Sequence, residues 1–453
     1  MWNQDNAVEA TGGEVFGLWQ AHKPCIDTRK LDLGDLFVAF RGEFVDGHDY
    51  VEQALANGAS AAMVERVPEG VDKRKLLLVK DCQKSLVDLA NYNRTKLQAK
   101  IIGVTGSVGK TSTKESAHLA FAAIGNTYSN KGNYNNHLGL PITLASIPRS
   151  TEYVILEMGM SNAKEMLYLT NLARPDVVII TNIAGVHLAN FASLEEIAKA
   201  KSEIFAGMSK DGVVILNKES KFLNVQINEA KKHGISNILT FGQDGDSYLV
   251  NYEQNKAITA NIIGQNCQYS IEAFGVHHAI NSLAILTAVK FLGGDLARAA
   301  KGLAQFKNIK GRGEISRIKF NNKQIILIDD SYNASPMSLR AALIVLGSNF
   351  SGAKRKMAIL ADMRELGTGE IDEHKDIANP IIENKIDKIV TVGILMKHLY
   401  DNLPANLQLK HYMGVDDVFA DIADLIQDGD AILIKGSNGT KIYKLIDYFK
   451  GQA

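Results

Sequence analysis

Eleven short, unbroken apolar runs recur along this chain in three groups. "LFVAF" (36–40), "AAMVE" (61–65) and "LLLV" (76–79) form the first. "IIGV" (101–104), "YVIL" (153–156), "VVII" (177–180) and "VVIL" (213–216) form the second, and "IILI" (325–328), "MAIL" (357–360), "IVTV" (389–392) and "AILI" (431–434) the third. Runs of four or five residues are too short for core helices, and they do not alternate with polar residues. They read as strands covered on both faces, and the helical patterns between them supply the cover. The expectation is an α/β chain of mostly parallel sheets, each group building its own domain. A length of 453 residues accommodates about three domains. Junctions are expected in the polar stretch "NYNRTKLQAK" (91–100) and in the basic, glycine-containing "FKNIKGRGE" (306–314), giving domains at 1–98, 99–313 and 314–453. The polar 251–275 region is read as short antiparallel strands.

The second group carries the most specific chemistry. "IIGV" leads into "TGSVGKT" and then into the helical pattern "KTSTKESAHLAFAAIG", with Ala117, Ala120, Phe121 and Ile124 on one face and Gly125 as a stop. Strand, glycine-rich turn and helix is the setting of a phosphate-binding loop. Gly106 and Gly109 let backbone N–H groups curl round a phosphate at a helix N-terminus. Lys110 can reach terminal phosphates, and the Thr111 hydroxyl can hold Mg²⁺. The position of the usual first glycine holds Val104, which belongs to the strand. Glu157 follows "YVIL" where a metal-holding acid of such a domain stands.

A lysine falls on the wrong face of a helix. In "SLEEIAKAKSEIFAGM" (193–208), Ser193 and Glu196 predict a capping box. Leu194, Ile197, Ala198, Ile204, Phe205 and Met208 trace the apolar stripe, and Lys201 lies on it. Lys199 points to the opposite, glutamate-lined face. Lys201 reads either as a snorkelling or ion-paired side chain, or as a desolvated free amine able to add CO₂ as a carbamate. His187 follows "VVIITNIAGV"; a lone histidine is more often structural than a ligand.

Bulk properties exclude rather than identify. Fifty basic residues balance fifty acidic ones without a long block of either sign, which argues against a general nucleic-acid or membrane-surface binder. The first twenty residues lack Lys and Arg and carry Asp5, Glu9 and Glu14, unlike a signal peptide. No apolar run reaches the roughly 18 residues of a membrane span. Cys25, Cys82 and Cys267 are far apart and read as reduced thiols in a cytoplasm.

The ordered blocks together resemble the Mur ligase family of bacterial cell-wall synthesis. They are "DTRKLDLGDLFVAFRGEFVDGHDY" (27–50), "TGSVGKTSTKE" (105–115), "GNYNNHLGLPITL" (132–144), "LEMGM" (156–160), "HLANFASLEEIAKAKSEIF" (187–205), "GRGE" (311–314), "DDSYNASP" (329–336) and "LADMRELG" (360–367). The family loop is TGxxGK[ST], so Val104 is normal there. The resemblance implies a UDP-sugar domain, a central P-loop ATPase-like domain and a Rossmann-like C-terminal domain for the incoming amino acid or dipeptide. It implies that Thr105, Gly106, Ser107, Val108, Gly109, Lys110, Thr111 and Ser112 hold ATP phosphates. Thr111 and Glu157 would hold one Mg²⁺, and His187 with carbamylated Lys201 a second. Asn135 would join Lys110, Lys201 and His187 among the catalytic residues. Asn281 would meet adenine, with Arg312 and Asp330 near the ribose or phosphates. Thr28, Arg29, Asp46, Gly47 and His48 lie in the implied UDP-binding blocks. One departure is His278 in "GVHHAIN" (275–281), where the family often has asparagine.

The implied chemistry joins a carboxylate to an amine through an acyl phosphate, within a monomer that neither inserts in a membrane nor binds nucleic acid. "DDSYNASP" and "GNYNNHLGLP" resemble the branch that adds D-alanyl-D-alanine to UDP-N-acetylmuramoyl-tripeptide (UDP-MurNAc-tripeptide) for peptidoglycan. The alternative is the branch adding lysine or diaminopimelate to the dipeptide precursor, whose Asn-Pro-Arg block is absent; Asn379-Pro380 is followed by Ile381. A P-loop switch or scaffold without ligation is the alternative from another class.

Overall fold

A computed structural model describes residues 1–42, 45–185, 190–253, 257–350 and 352–451. All eleven apolar runs contribute to strands, and these lie in three separate sheets, as the grouping predicts. The N-terminal sheet has five strands in the order Glu14–Val15, Leu76–Leu78, Ala61–Val64, Leu36–Val38, Pro24–Cys25, parallel except for the first pair. Trp2–Asn3 and Gln20–Ala21 make a separate two-stranded ribbon.

The central sheet has nine strands. From its centre to one edge it runs Val213–Asn217, Val177–Ile180, Lys100–Thr105, Tyr153–Glu157, Thr127–Ser129, all parallel. The polar 251–275 region contributes to antiparallel pairing at the far edge, where Ser247–Asn251, Ile258–Ile262 and Gln265–Tyr269 form consecutive hairpins. The C-terminal sheet is Glu314–Phe320, Lys323–Asp330, Asp430–Lys435, Arg355–Ala361, Lys388–Val392, Gln408–Tyr412, antiparallel only at its first pair. Leu339, Leu343 and Leu346 cover one face, while Ile442, Leu445 and Phe449 cover the other.

The two junctions differ. The helix Cys82–Lys96 buries Leu86 and Leu89 in one core with Leu140, Leu144 and Leu156 of the central region. Asn93 Nδ2 there donates to Leu144 O (2.8 Å) and Ile147 O (2.9 Å), and Trp2 Nε1 to Ala145 O (2.8 Å). The polar stretch 91–100 is therefore helical through Lys96, with Asn91, Thr95 and Lys96 exposed and Asn93 buried against the central region. The C-terminal sheet keeps its own cores, and touches the central region through contacts such as Phe274 on Phe350 (6.1 Å between rings) and Asn182 Nδ2 on Met337 Sδ (3.4 Å).

Local expectations need two adjustments. The helix expected over 193–208 ends at Ser202 and tightens into a 3₁₀ turn, Glu203–Gly207. A side chain at Gly207 would strike Thr170 O at 2.2 Å, so the chain passes too close to its neighbour for a regular turn. Leu194, placed on the apolar stripe, is 37% exposed, and Glu196 reaches Ala192 N rather than its cap residue. The helix Lys110–Ala122 ends before Gly125, which nevertheless returns its N–H to Phe121 O (3.0 Å).

Candidate nucleotide-binding and catalytic site

The phosphate-type loop leaves the strand Lys100–Thr105, in the interior of the central sheet. Gly106 has φ +146°, and a Cβ there would lie 2.1 Å from Thr181 Oγ1. Gly109, at φ +82°, turns the chain into the helix Lys110–Ala122. The neighbouring strand end holds this loop. Thr181 Oγ1 donates to Val108 O (2.6 Å), Ser107 N to Asn182 O (2.8 Å), and Ser107 Oγ to Ala184 O (2.8 Å). Lys110 folds its Nζ back onto Gly106 O (2.7 Å) and Ser107 O (3.2 Å). Burial pushes its pKa down, Glu157 opposes that and Arg312 adds to it. Thr105 Oγ1 is buried without a partner. Thr111 and Ser112 are half-buried on the first helical turn.

Glu157 ends the adjacent strand, paired with Val104 across the ladder. It is 3% exposed. Asn135 Nδ2 donates to its Oε1 (2.8 Å), while Oε2 is buried with no hydrogen-bond donor. An unsatisfied buried carboxylate oxygen is costly within the chain alone and is what a cation ligand requires. Lys201 is 2% exposed. Burial drives its pKa well below the ordinary lysine value, and the charge of Lys110 pushes the same way. The inward face expected of Lys201 is thus observed, and its burial works against the charged form. Lys199 pairs with Glu195 (2.7 Å) on the outer face. His187 lies outside the described residues.

Elsewhere the expected residues divide. Asn281 stands beside the loop, its Nδ2 3.1 Å from where a Gly109 Cβ would be. Arg312 lies over the Tyr332 ring (4.1 Å), and Asp330 Oδ2 accepts from the buried Lys435 Nζ (2.6 Å). His278 is buried and burial holds it neutral; its ring stands against Phe306 (5.3 Å), with Nε2 near Asn308 Nδ2 (3.5 Å). That contact ties it to the 306–314 segment. In the N-terminal domain, Thr28 is half-buried and Arg29 is an exposed partner of Asp27 (2.9 Å). His48 is buried: Nδ1 donates to Asp46 Oδ1 (2.7 Å) and Nε2 accepts from Glu65 N (2.9 Å). Asp46 Oδ2 accepts from Arg66 (2.9 Å). Gly47 passes against Phe40, whose backbone N and O would lie 2.7 Å from a Cβ.

Two residues of the site lie outside those the sequence singled out. Asn130 clamps the backbone of Glu157, and Lys114, fully buried, donates to Asn130 O (2.8 Å). The signal for Lys114 was present: it shares a helical face with Ala117 and Phe121, the same kind of misplaced lysine as Lys201.

The donor set suits a hard divalent cation bound beside phosphates: one buried carboxylate oxygen lacks a donor, and hydroxyls lie on the adjoining loop. Among the described residues no group of three or more His, Cys, Asp or Glu side chains converges to form an all-protein metal site. Mg²⁺ characteristically uses few protein ligands and takes the rest from phosphates and water.

The sequence matches the Mur ligase family catalytic domain over residues 21–91, the Mur ligase middle domain over 104–289 and the Mur ligase glutamate ligase domain over 311–438. It is 35% identical to the UDP-N-acetylmuramoyl-tripeptide–D-alanyl-D-alanine ligase of Rickettsia prowazekii, covering 99% of this chain and 100% of that protein. The fold is similar to MurF from Acinetobacter baumannii (TM-score 0.84, 29% identity, 99% of both chains). It is also similar to the MurF ligase of Thermotoga maritima in complex with ADP (TM-score 0.78, 25% identity, 95% of this chain and 98% of that one). In its sequence from end to end and in the fold that carries its phosphate-type loop, this chain belongs to the Mur ligase family.

Proposed function

We propose that this chain is an ATP-dependent, ADP-forming ligase that joins D-alanyl-D-alanine to UDP-MurNAc-tripeptide, completing the pentapeptide precursor of peptidoglycan. One observation carries the reading. Buried, unpartnered Thr105 Oγ1 and Glu157 Oε2, together with desolvated Lys201 facing the charge of Lys110, lie in a chain matched over nearly all its length by relatives of that name. In this assignment residues 1–98 take the UDP-sugar, 99–313 ATP and 314–453 the dipeptide. The cytoplasm is the proposed compartment, and no helix among the described residues is long and apolar enough to cross a membrane. We also infer a monomer that binds no nucleic acid.

The terminal carboxylate of the tripeptide takes the γ-phosphoryl group of ATP, giving an acyl phosphate and ADP. The amine of D-alanyl-D-alanine then attacks the carbonyl, loses a proton, and phosphate leaves as the amide forms. Two anions must meet in the first step, so cationic groups have to offset their repulsion. Lys110 exchanges its two backbone carbonyls for phosphate oxygens. The backbone of Thr105–Ser112 cradles the phosphates, with Asn281 beside the loop, Arg312 facing the nucleotide from the end of the central domain and Asp330 from the third. Glu157 and Thr111 would hold Mg²⁺, which would supply further charge neutralisation. Asn135 keeps Oε1 of Glu157 oriented, so that Oε2 remains free to bind metal. Lys201, as a neutral amine, would add CO₂ and release a proton, and with His187 would then offer ligands to a second cation, supplying further charge neutralisation. In the first domain, Thr28, Arg29 and the turn fixed by Asp46, Gly47 and His48 form the UDP-facing edge.

Phosphate release is measured with UDP-MurNAc-tripeptide, ATP and D-alanyl-D-alanine, with mass spectrometry of the product. A pentapeptide formed only when all three are present is expected. Turnover only with the dipeptide precursor and lysine or diaminopimelate would move the assignment to the third-residue ligase. Release indifferent to acceptor and sugar would favour the nucleotide switch. For Lys201, protein equilibrated with ¹³C-bicarbonate is expected to show a carbamate carbon resonance absent from Lys201→Met.

A further inference from the structure

The strand Thr127–Ser129 pairs with Tyr153–Glu157 only as far as Ile155. Beyond Ser129 the chain turns away, so no backbone on that side reaches Glu157. The side chain of Asn130 takes the missing place. Its Oδ1 accepts from Glu157 N (2.9 Å), and its Nδ2 donates to Glu157 O (3.1 Å) and to Tyr134 O (3.0 Å). The third bond ties the same amide to the turn that returns Asn135 onto the Glu157 carboxylate. Asn130 in turn is held from behind: Lys114 Nζ donates to its carbonyl (2.8 Å) and pairs with Glu115. Lys114 is on the helix that begins with Lys110, one turn further along. Lys114 and Asn130 are 0% and 1% exposed. A buried ammonium is unfavourable unless its donors are all used, and an apolar residue would fill this space more cheaply.

We infer that Asn130 and Lys114 are positioning residues: they fix the carboxylate of Glu157 relative to the phosphate loop, linking the helix of Lys110 to the strand end that presents the acid. This rests on the proposed reading of Glu157 as a metal ligand. Groups that orient a ligand commonly change metal affinity about 10–100-fold when removed.

The test uses the full chain with ADP and Mn²⁺ as the probe, free Mn²⁺ being read by electron paramagnetic resonance and folding by the thermal midpoint. Glu157→Gln is the reference, expected to weaken Mn²⁺ binding by at least about tenfold. Asn130→Ala and Lys114→Met are each expected to weaken it by about tenfold as well. Lys114→Met removes a buried charge and leaves Glu115 to solvent, so it is expected to fold even where Asn130→Ala does not. Asn93→Ala is the control, because Asn93 makes a similar pair of buried bonds to Leu144 O and Ile147 O at the N-terminal junction. It is expected to lower the thermal midpoint without changing Mn²⁺ binding. Parental affinity in Asn130→Ala and Lys114→Met, with Glu157→Gln impaired, would overturn the inference and leave the proposed function standing. A change no larger than that of Asn93→Ala would overturn it too, as general loosening. Parental affinity in Glu157→Gln would remove the reading of the acid itself.

Discussion

Around His48, both ring nitrogens are engaged and both carboxylate oxygens of Asp46 have donors, from His48 and from Arg66. Around Glu157, one carboxylate oxygen and the Thr105 hydroxyl are buried without partners, and Lys201 faces the like charge of Lys110. Both clusters are built from conspicuous polar residues in recognisable blocks. The first is complete within the chain and stiffens a turn. The second leaves Glu157 Oε2 and Thr105 Oγ1 without partners in the chain, which is what the proposed ligands would meet. The two clusters therefore differ in how far the chain itself meets their hydrogen bonding, although sequence places both in a site.

The sharpest attack on that contrast is on the incomplete cluster. Lys110→Met and Gly106→Ala are each expected to lower kcat/KM for ATP by about 100-fold or more, measured as acceptor-dependent phosphate release. Near-normal turnover in either would mean the loop is ornamental. Lys201→Met is expected to lose activity comparably yet unfold at equal or higher urea concentration. Its sign can be followed with pH. The folded pKa is below the ordinary value of 10.5, so the unfolded chain binds the extra proton in that window. Parental stability from this group therefore rises with pH up to about 10.5 and is lowest below the folded pKa. Urea midpoints of Lys201→Met are expected to lack that rise.

The complete cluster should respond in the opposite manner. His48→Ala strands Asp46 and Glu65 N, and is expected to lower stability by about 1–3 kcal/mol with the KM for ATP unchanged. Asp46→Asn adds a pH arm. Its carboxyl is held well below the usual carboxylate range, first by the His48 N–H and then by Arg66. Its contribution is complete above pH 3.8 and is lost as pH falls through the lowered pKa, so parent and variant are expected to converge in strong acid. An effect of His48→Ala on ATP binding equal to its effect on stability would break the comparison. Smallest of all, Arg29→Ala removes an exposed pair and is expected to leave the urea midpoint unchanged. A change in the KM for the UDP-sugar would mark Arg29 as a contact.

Much of this was legible because burial on both faces leaves strands as unbroken apolar runs, and because helical periodicity exposes a misplaced Lys201. The loop was legible from glycines that only a strand-to-helix turn explains. Other features depend on chain paths that no local pattern encodes. His48 receives its second bond from Glu65, 17 residues away and just past the end of the strand Ala61–Val64. Asn130 grips Glu157 only because its strand stops short. In the edge hairpins of 247–269, Ile258–Ile262 alternates cleanly, but Ser247–Asn251 does not, since Leu249 and Val250 are not fully buried.

The order of three strands has one more consequence. Val177–Ile180, Lys100–Thr105 and Tyr153–Glu157 are consecutive, with Ile180 opposite Thr105 and Glu157 opposite Val104. Neighbouring strands are spaced at about 4.8 Å by their own hydrogen bonds. The interval between acid and loop is therefore a graduation on a ruler, set by peptide geometry and indifferent to the loops at either end. Residues inserted after Met160 would leave the scale untouched. One residue deleted between Tyr153 and Glu157 would turn the acid to the opposite face of the sheet, and the instrument would read nothing.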